Sequence, residues 1–120
     1  MAFKEKIKEK VLNFYQELPF NSYDSPSEGA KQIDNNSLFE AYPILSNIFK
    51  NNNIKNVIDV GCGGGWLINS LSLMFPKKYI LGIDFNKVAI DYASEVAKIR
   101  KLRSNFLVSD IFEYSSNIKF

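Results

Sequence analysis

The sequence contains no histidine, which removes the commonest general base and the commonest metal ligand from any site it can build. A single cysteine, Cys62, cannot close an intramolecular disulfide. Bridge-stabilised secreted scaffolds are thereby excluded, and a reducing cytoplasm is the expected setting. No uninterrupted apolar run approaches the length of a transmembrane helix. The opening stretch, MAFKEKIKEKVLNFY, also lacks the continuous apolar segment and small-residue cleavage site of a secretory signal. Charge of one sign is scarce: 15 Lys and Arg stand against 13 Asp and Glu, a formal charge of +2. That balance gives no evidence for a nucleic-acid partner, although it leaves room for a local basic patch. What is present suits one globular domain: 120 residues, 46% hydrophobic and 14% aromatic, enough for one core but not for a second full domain.

Along the chain, Phe3, Ile7, Val11, Phe14 and Leu18 recur at helical spacing and Pro19 ends the run. Its other face mixes lysines and glutamates. Such a helix can lie on an anionic membrane, but docking on its own domain is the commoner outcome. The segment Phe20 to Asn36 is rich in Ser, Asn, Asp, Pro and Gly and reads as a loop. Ser37 with Glu40 fits a capping box for a helix carrying Leu38, Ala41, Tyr42, Leu45, Ile48 and Phe49, which Pro43 should kink or restart.

The period then changes. Val57 to Val60 reads as a buried strand, Trp66 to Phe75 as a helix with Leu67, Ile68, Leu71 and Met74 inward, and Tyr79 to Ile83 as a second strand. A further helix presents Val88, Tyr92, Val96 and Ile99, with Ala89 and Ala93 beside them, before a third strand at Phe106 to Val108. Strands alternating with helices predict an α/β fold built on a parallel sheet.

The strongest chemical signal is Asp59-Val60-Gly61-Cys62-Gly63-Gly64-Gly65-Trp66, because it joins a predicted strand to a predicted helix. Glycines there let the backbone approach a ligand above the strand's carboxyl end. Asp84 ends the second strand 23 residues after the first glycine, close to the ~20-residue interval at which an acid meets ribose hydroxyls. The alternative role for Asp84 is to cap the helix starting near Lys87. A nicotinamide dinucleotide would share both features, but its third small position falls here on Trp66.

The motif DVGCGGG resembles motif I of the class I, Rossmann-like S-adenosylmethionine-dependent methyltransferases. GIDFN (Gly82 to Asn86) is similar to that family's acidic second-strand motif, and SDIFEY (Ser109 to Tyr114) to its segment after the third strand. The resemblance implies that Gly61, Gly63 and Gly65 line the methionine part of S-adenosyl-L-methionine, with Cys62 among them in the loop. Asp59 would orient the loop or the methionine amino group. Asp84 would hold the ribose hydroxyls and Asp110 the adenine amine, while Phe85 and Ile111 would pack on the adenine faces. It gives Cys62 no chemical role. It also raises a covering role for the amino-terminal segment, in which Tyr23 and Lys31 would contact the cofactor.

The resemblance covers residues 37–120, with residues 1–36 as an amino-terminal helix and loop. The family's sheet has seven strands, so the expectation is a three-layer Rossmann-like fold, incomplete at three to four strands. Its first strand would keep an open edge. The expected function is transfer of a methyl group to an O, N or C acceptor, with no catalytic base assigned and weak or absent turnover by this chain alone, since the acceptor must be aligned with the methyl carbon. The competing reading is a non-catalytic adenosyl-binding or interaction module that pairs through the open edge with itself or a second chain.

Overall fold

The computed structural model describes residues 25–115 and 119–120. The helix expected before Pro19, and Tyr23, lie outside the described residues. Three short helices come first: α1 (Pro26–Lys31), α2 (Ser37–Ala41) and α3 (Pro43–Phe49). Then follow β1 (Asn56–Val60), α4 (Trp66–Met74), β2 (Tyr79–Asp84), α5 (Lys87–Arg100) and β3 (Asn105–Val108). The three strands are parallel in the order β1-β2-β3, with Val57 opposite Ile80 and Leu81 opposite Asn105. This is the expected Rossmann-like α/β arrangement in partial form. Among the described residues β1 pairs with β2 alone.

The segment read as a loop contains α1. Ser25 caps it by accepting the amide of Glu28, and Pro26 occupies the first turn, where its missing N–H costs nothing. The turn-forming composition of Phe20 to Asn36 masked this local start signal. Gly29 sits where α1 crosses α5, since a Cβ there would lie 2.1 Å from the Tyr92 hydroxyl. Tyr92 in turn donates to Ser25 O at 3.3 Å, and Arg100 donates to the carbonyl of Ala30, near the end of α1, and to that of Ile33 just beyond it.

Pro43 divides the next stretch into two helices, as expected. The capping differs: Ser37 lies inside α2, and Asp34 accepts the amides of Asn36 and Ser37 and the Ser37 hydroxyl. Those three bonds hold the Asp34 carboxyl below its ordinary range.

The core lies between the sheet and α4. Leu38, Ile68, Leu71 and Ile80 are all but inaccessible, each side chain contributing about 1.5–3 kcal/mol by burial. Helix α5 is rotated from expectation: Ala89, Ile90, Ala93, Val96 and Ala97 are buried, while Val88 and Ile99 are exposed. Its alanine side allows close approach to α4, where buried Asn69 donates to Ala93 O at 3.1 Å and accepts from Ser104 Oγ at 2.6 Å. The amino end of β1 is reached by the last residues of the chain, with Asn56 Nδ2 donating to Lys119 O at 2.8 Å.

Candidate functional site

At the carboxyl end of β1 the chain turns through Gly61 at φ 76°. The amides of Gly61 and Cys62 both donate to Ile83 O, at 2.8 and 3.0 Å, fastening the loop to β2. Gly63 N donates to Asp84 Oδ2 at 2.9 Å, and Asn86 N donates to Asp84 Oδ1 at 2.8 Å. Asp84 thus organises two loops at once. It does not cap α5, a role taken by Asn86, whose side chain accepts the amides of Val88 and Ala89. Ser109 N donates to Asp84 O at 2.9 Å and brings in the end of β3. There Asp110 accepts the amide of Phe112 through Oδ1 and those of Glu113 and Tyr114 through its carbonyl.

A cavity of about 360 Å³ opens where these three loops meet. Five of the anticipated residues line it: Gly61, Asp84, Phe85, Asp110 and Ile111. The walls are otherwise Val60, Ile83, Ser109 and Phe112, none of them anticipated. Phe112 stands two places after Asp110 in SDIFEY and donates its amide to Asp110 Oδ1, but nothing local in the sequence separates a rim aromatic from a core one. Its ring is 94% exposed.

Asp59, Cys62, Gly63 and Gly65 do not line the cavity. Gly63 supports it through its bond to Asp84. Gly65 begins α4 at φ 79°, and a Cβ there would meet the Ala93 Cβ at 2.6 Å and the Phe106 ring at 2.9 Å. Its smallness serves helix packing. Cys62 is half-buried with its sulfur against Gly82, where a Cβ would come within 2.8 Å. Burial, then the neighbouring charges of Asp59 and Asp84, pushes its thiol up to about 12, so it is protonated and unreactive at neutral pH. Burial also raises Asp59, with the Asp84 charge a lesser cause. Trp66 packs between both apolar clusters and donates from Nε1 to Gln32 O at 3.4 Å. Lys31 pairs with Glu28 and is not a cavity residue.

Residues 51–119 match the model of a methyltransferase domain. The chain belongs to this methyltransferase-domain family. It is 28% identical over 101 residues to malonyl-[acyl-carrier protein] O-methyltransferase of Bacillus anthracis, covering 82% of this chain and 32% of that protein. It is 38% identical over 65 residues to tRNA (guanine-N(7)-)-methyltransferase of Bombyx mori, covering 54% of this chain and 25% of the relative. The fold resembles the plantazolicin methyltransferase BpumL, solved in complex with a monoazolic desmethylPZN analog and SAH, with a TM-score of 0.51 and 25% identity over 98% of this chain and 40% of that one. The chain spans between 18% and 32% of the length of the curated relatives it matches. In this methyltransferase domain, the motifs at Gly61, Asp84 and Asp110 lie at or just beyond the carboxyl ends of three adjacent strands.

Proposed function

We propose that this chain binds S-adenosyl-L-methionine and forms the cofactor-holding part of a methyltransferase acting on an O, N or C acceptor. One observation carries the reading: Gly61, Asp84 and Asp110, from three separate loops, converge on one cavity at the carboxyl ends of a parallel sheet. The residues fit the group. Around Gly61, a Cβ would meet nothing within 4 Å, leaving open space above the loop. The walls are apolar apart from Ser109 and two carboxylates, the donor-poor lining that suits an adenosyl group rich in N–H and O–H donors.

Each oxygen of Asp84 accepts one backbone amide, and a carboxylate has about four lone-pair sites, so acceptor capacity remains for two ribose hydroxyls. Asp110 accepts the adenine amine, and Phe85 and Ile111 pack on the ring. Asp59, near enough to Asp84 to feel its charge, orients the loop or the methionine amino group. When bound, the cofactor supplies a sulfonium methyl to the acceptor and leaves as S-adenosylhomocysteine. Relatives sharing this region are named for acceptors as different as a tRNA guanine and a malonyl-[acyl-carrier protein]. A common cofactor module with a separate acceptor pocket accounts for that range.

Calorimetric titration with S-adenosylhomocysteine tests the proposal. Saturable binding by the wild type, weakened at least about tenfold in Asp84→Ala, supports it. A folded wild-type chain that binds nothing overturns it.

The interaction reading draws on a different feature, the outer edge of β1, which has no strand partner among the described residues. Sedimentation at several concentrations tests for self-association through it. The free thiol of Cys62 favours a cytoplasmic setting. Among the described residues no helix is long and apolar enough to cross a membrane.

A further inference from the structure

The net charge of +2 conceals an uneven distribution. In a parallel sheet the loops preceding all strands meet at one edge, here the edge opposite the cavity. Those loops are Lys50 to Lys55, Phe75 to Lys78 and Lys101 to Ser104, and the final pair Lys119 and Phe120 joins them beside Asn56. None of these segments contains an acidic residue. They carry Lys50, Lys55, Lys77, Lys101, Arg103 and Lys119, all exposed. The ion pairs among the described residues, Lys31–Glu28 and Lys87–Asp91, involve none of the six.

Lys78 has a separate task. Its ammonium donates to Asn51 O at 3.0 Å and to Ile54 O, and lies 5.3 Å from the centre of the Phe75 ring. It thereby ties the loop before β1 to the loop before β2. A groove of about 460 Å³ runs between the two, with Ile54, Met74 and Phe75 along it and Lys55 and Lys77 among its cations. The exposed amide of Asn52 also faces it.

We infer that this edge is a docking surface for the phosphate backbone of RNA. Five exposed cations in three adjacent loops, with Lys119 beside Asn56, make this edge positive, to which a polyanion is the complementary partner. The choice of RNA rests on what lies between the cations. Asn51, Asn52 and Asn53 are exposed amides, each able to donate and to accept, as the ribose 2′-hydroxyl does. A strand of six residues, about 17 Å between its end residues, separates this edge from the cavity. The RNA therefore binds without touching the cofactor residues, and the inference stands independently of the cofactor reading.

The test is fluorescence anisotropy with a labelled short single-stranded RNA across a salt series, for the wild type and for Lys55→Gln/Lys77→Gln. Removing two phosphate contacts should lower the slope of log K against log salt by about 1.4 and weaken binding about 25-fold near 0.1 M salt, an effect that disappears toward about 1 M. Unchanged thermal melting and circular dichroism show that the variant is folded. No RNA binding, or binding that the double variant leaves intact, overturns the inference. Equal affinity for DNA of the same sequence overturns the assignment to RNA. Retention on phosphatidylserine vesicles without RNA binding assigns the edge to a membrane and overturns it too.

Discussion

The amide of Gly63 donates to Oδ2 of Asp84 at 2.9 Å, so the glycine loop after β1 and the acidic end of β2 form a single hydrogen-bonded unit. A change at Asp84 therefore acts on both loops. Asp84→Asn replaces a carboxylate oxygen by an amide nitrogen that cannot accept. Calorimetry should show S-adenosylhomocysteine affinity falling at least about tenfold, because hydrogen bonds to a charged group are worth about 1.5–3 kcal/mol each. Amide exchange at Gly63, followed by NMR, should quicken in the same variant, even without ligand.

Phe112 separates binding from folding. Its ring is 94% exposed, so Phe112→Ala should leave unfolding free energy within about 0.5 kcal/mol of the wild type. It removes an apolar wall of the cavity, and ligand affinity should drop severalfold. Urea denaturation beside calorimetry checks both halves. A large loss of stability with unchanged affinity would remove Phe112 from the site.

Gly65 and Gly61 should behave differently when replaced by alanine. Both occupy the left-handed region, at φ 79° and 76°, which costs an L-residue about 1–2 kcal/mol. At Gly65 the new methyl also collides with Ala93 and Phe106, adding about 1–3 kcal/mol of overpacking. At Gly61 it meets open space within the cavity wall. Thermal denaturation should show Gly65→Ala as the more damaging, while Gly61→Ala should lose relatively more ligand affinity.

Asp59 should make stability fall as pH rises. Burial raises its folded-state pKa above the unfolded value, so between those two values the native state holds more protons than the unfolded chain. The charged form is then a cost to the folded state at neutral pH. Asp59→Asn should raise the melting temperature at pH 7, with the advantage shrinking as pH falls to and below the ordinary Asp value. Paired melting curves across that range decide it. An advantage independent of pH would place its origin elsewhere.

Cys62 should resist alkylation in the folded state. With its pKa at about 12 against an ordinary value near 8.5, the thiolate fraction at pH 9 is only about a thousandth. Iodoacetamide labelling should be slow until denaturant is added. Fast labelling of the folded chain would contradict the half-buried placement of the sulfur against Gly82.

Much of the fold was legible because its signals are local. Val57 to Val60 running into glycine, and Asn86 beside a helical apolar stripe, declare their elements within a few residues. The failures have specific causes. Helix α1 was hidden because Ser25 and Pro26 start a helix in a segment whose overall composition favours turns. The stripe read on α5 held Ala89, Ala93 and Val96, which are buried, but also Val88 and Ile99, which are exposed, because packing buries the side that carries Ile90 and Ala97 instead. At the site, Asp84 was readable because an acid that ends a strand marks itself, and Asp110 because it stands just beyond the third strand in SDIFEY. Phe112 was not, since nothing local distinguishes a rim aromatic from a core one.

The sequence by itself determined the alternation of strands and helices, the left-handed glycine turns and the placing of an acid at or near the carboxyl end of each strand. These depend on neighbours within one element, on backbone sterics and on hydrophobic period. Only the tertiary structure decided which of the loop residues face a common cavity, that Gly65 serves packing, and that cations from three distant loops share one edge. Those outcomes follow from parallel pairing of β1, β2 and β3, which gathers carboxyl-end loops on one side and amino-end loops on the other.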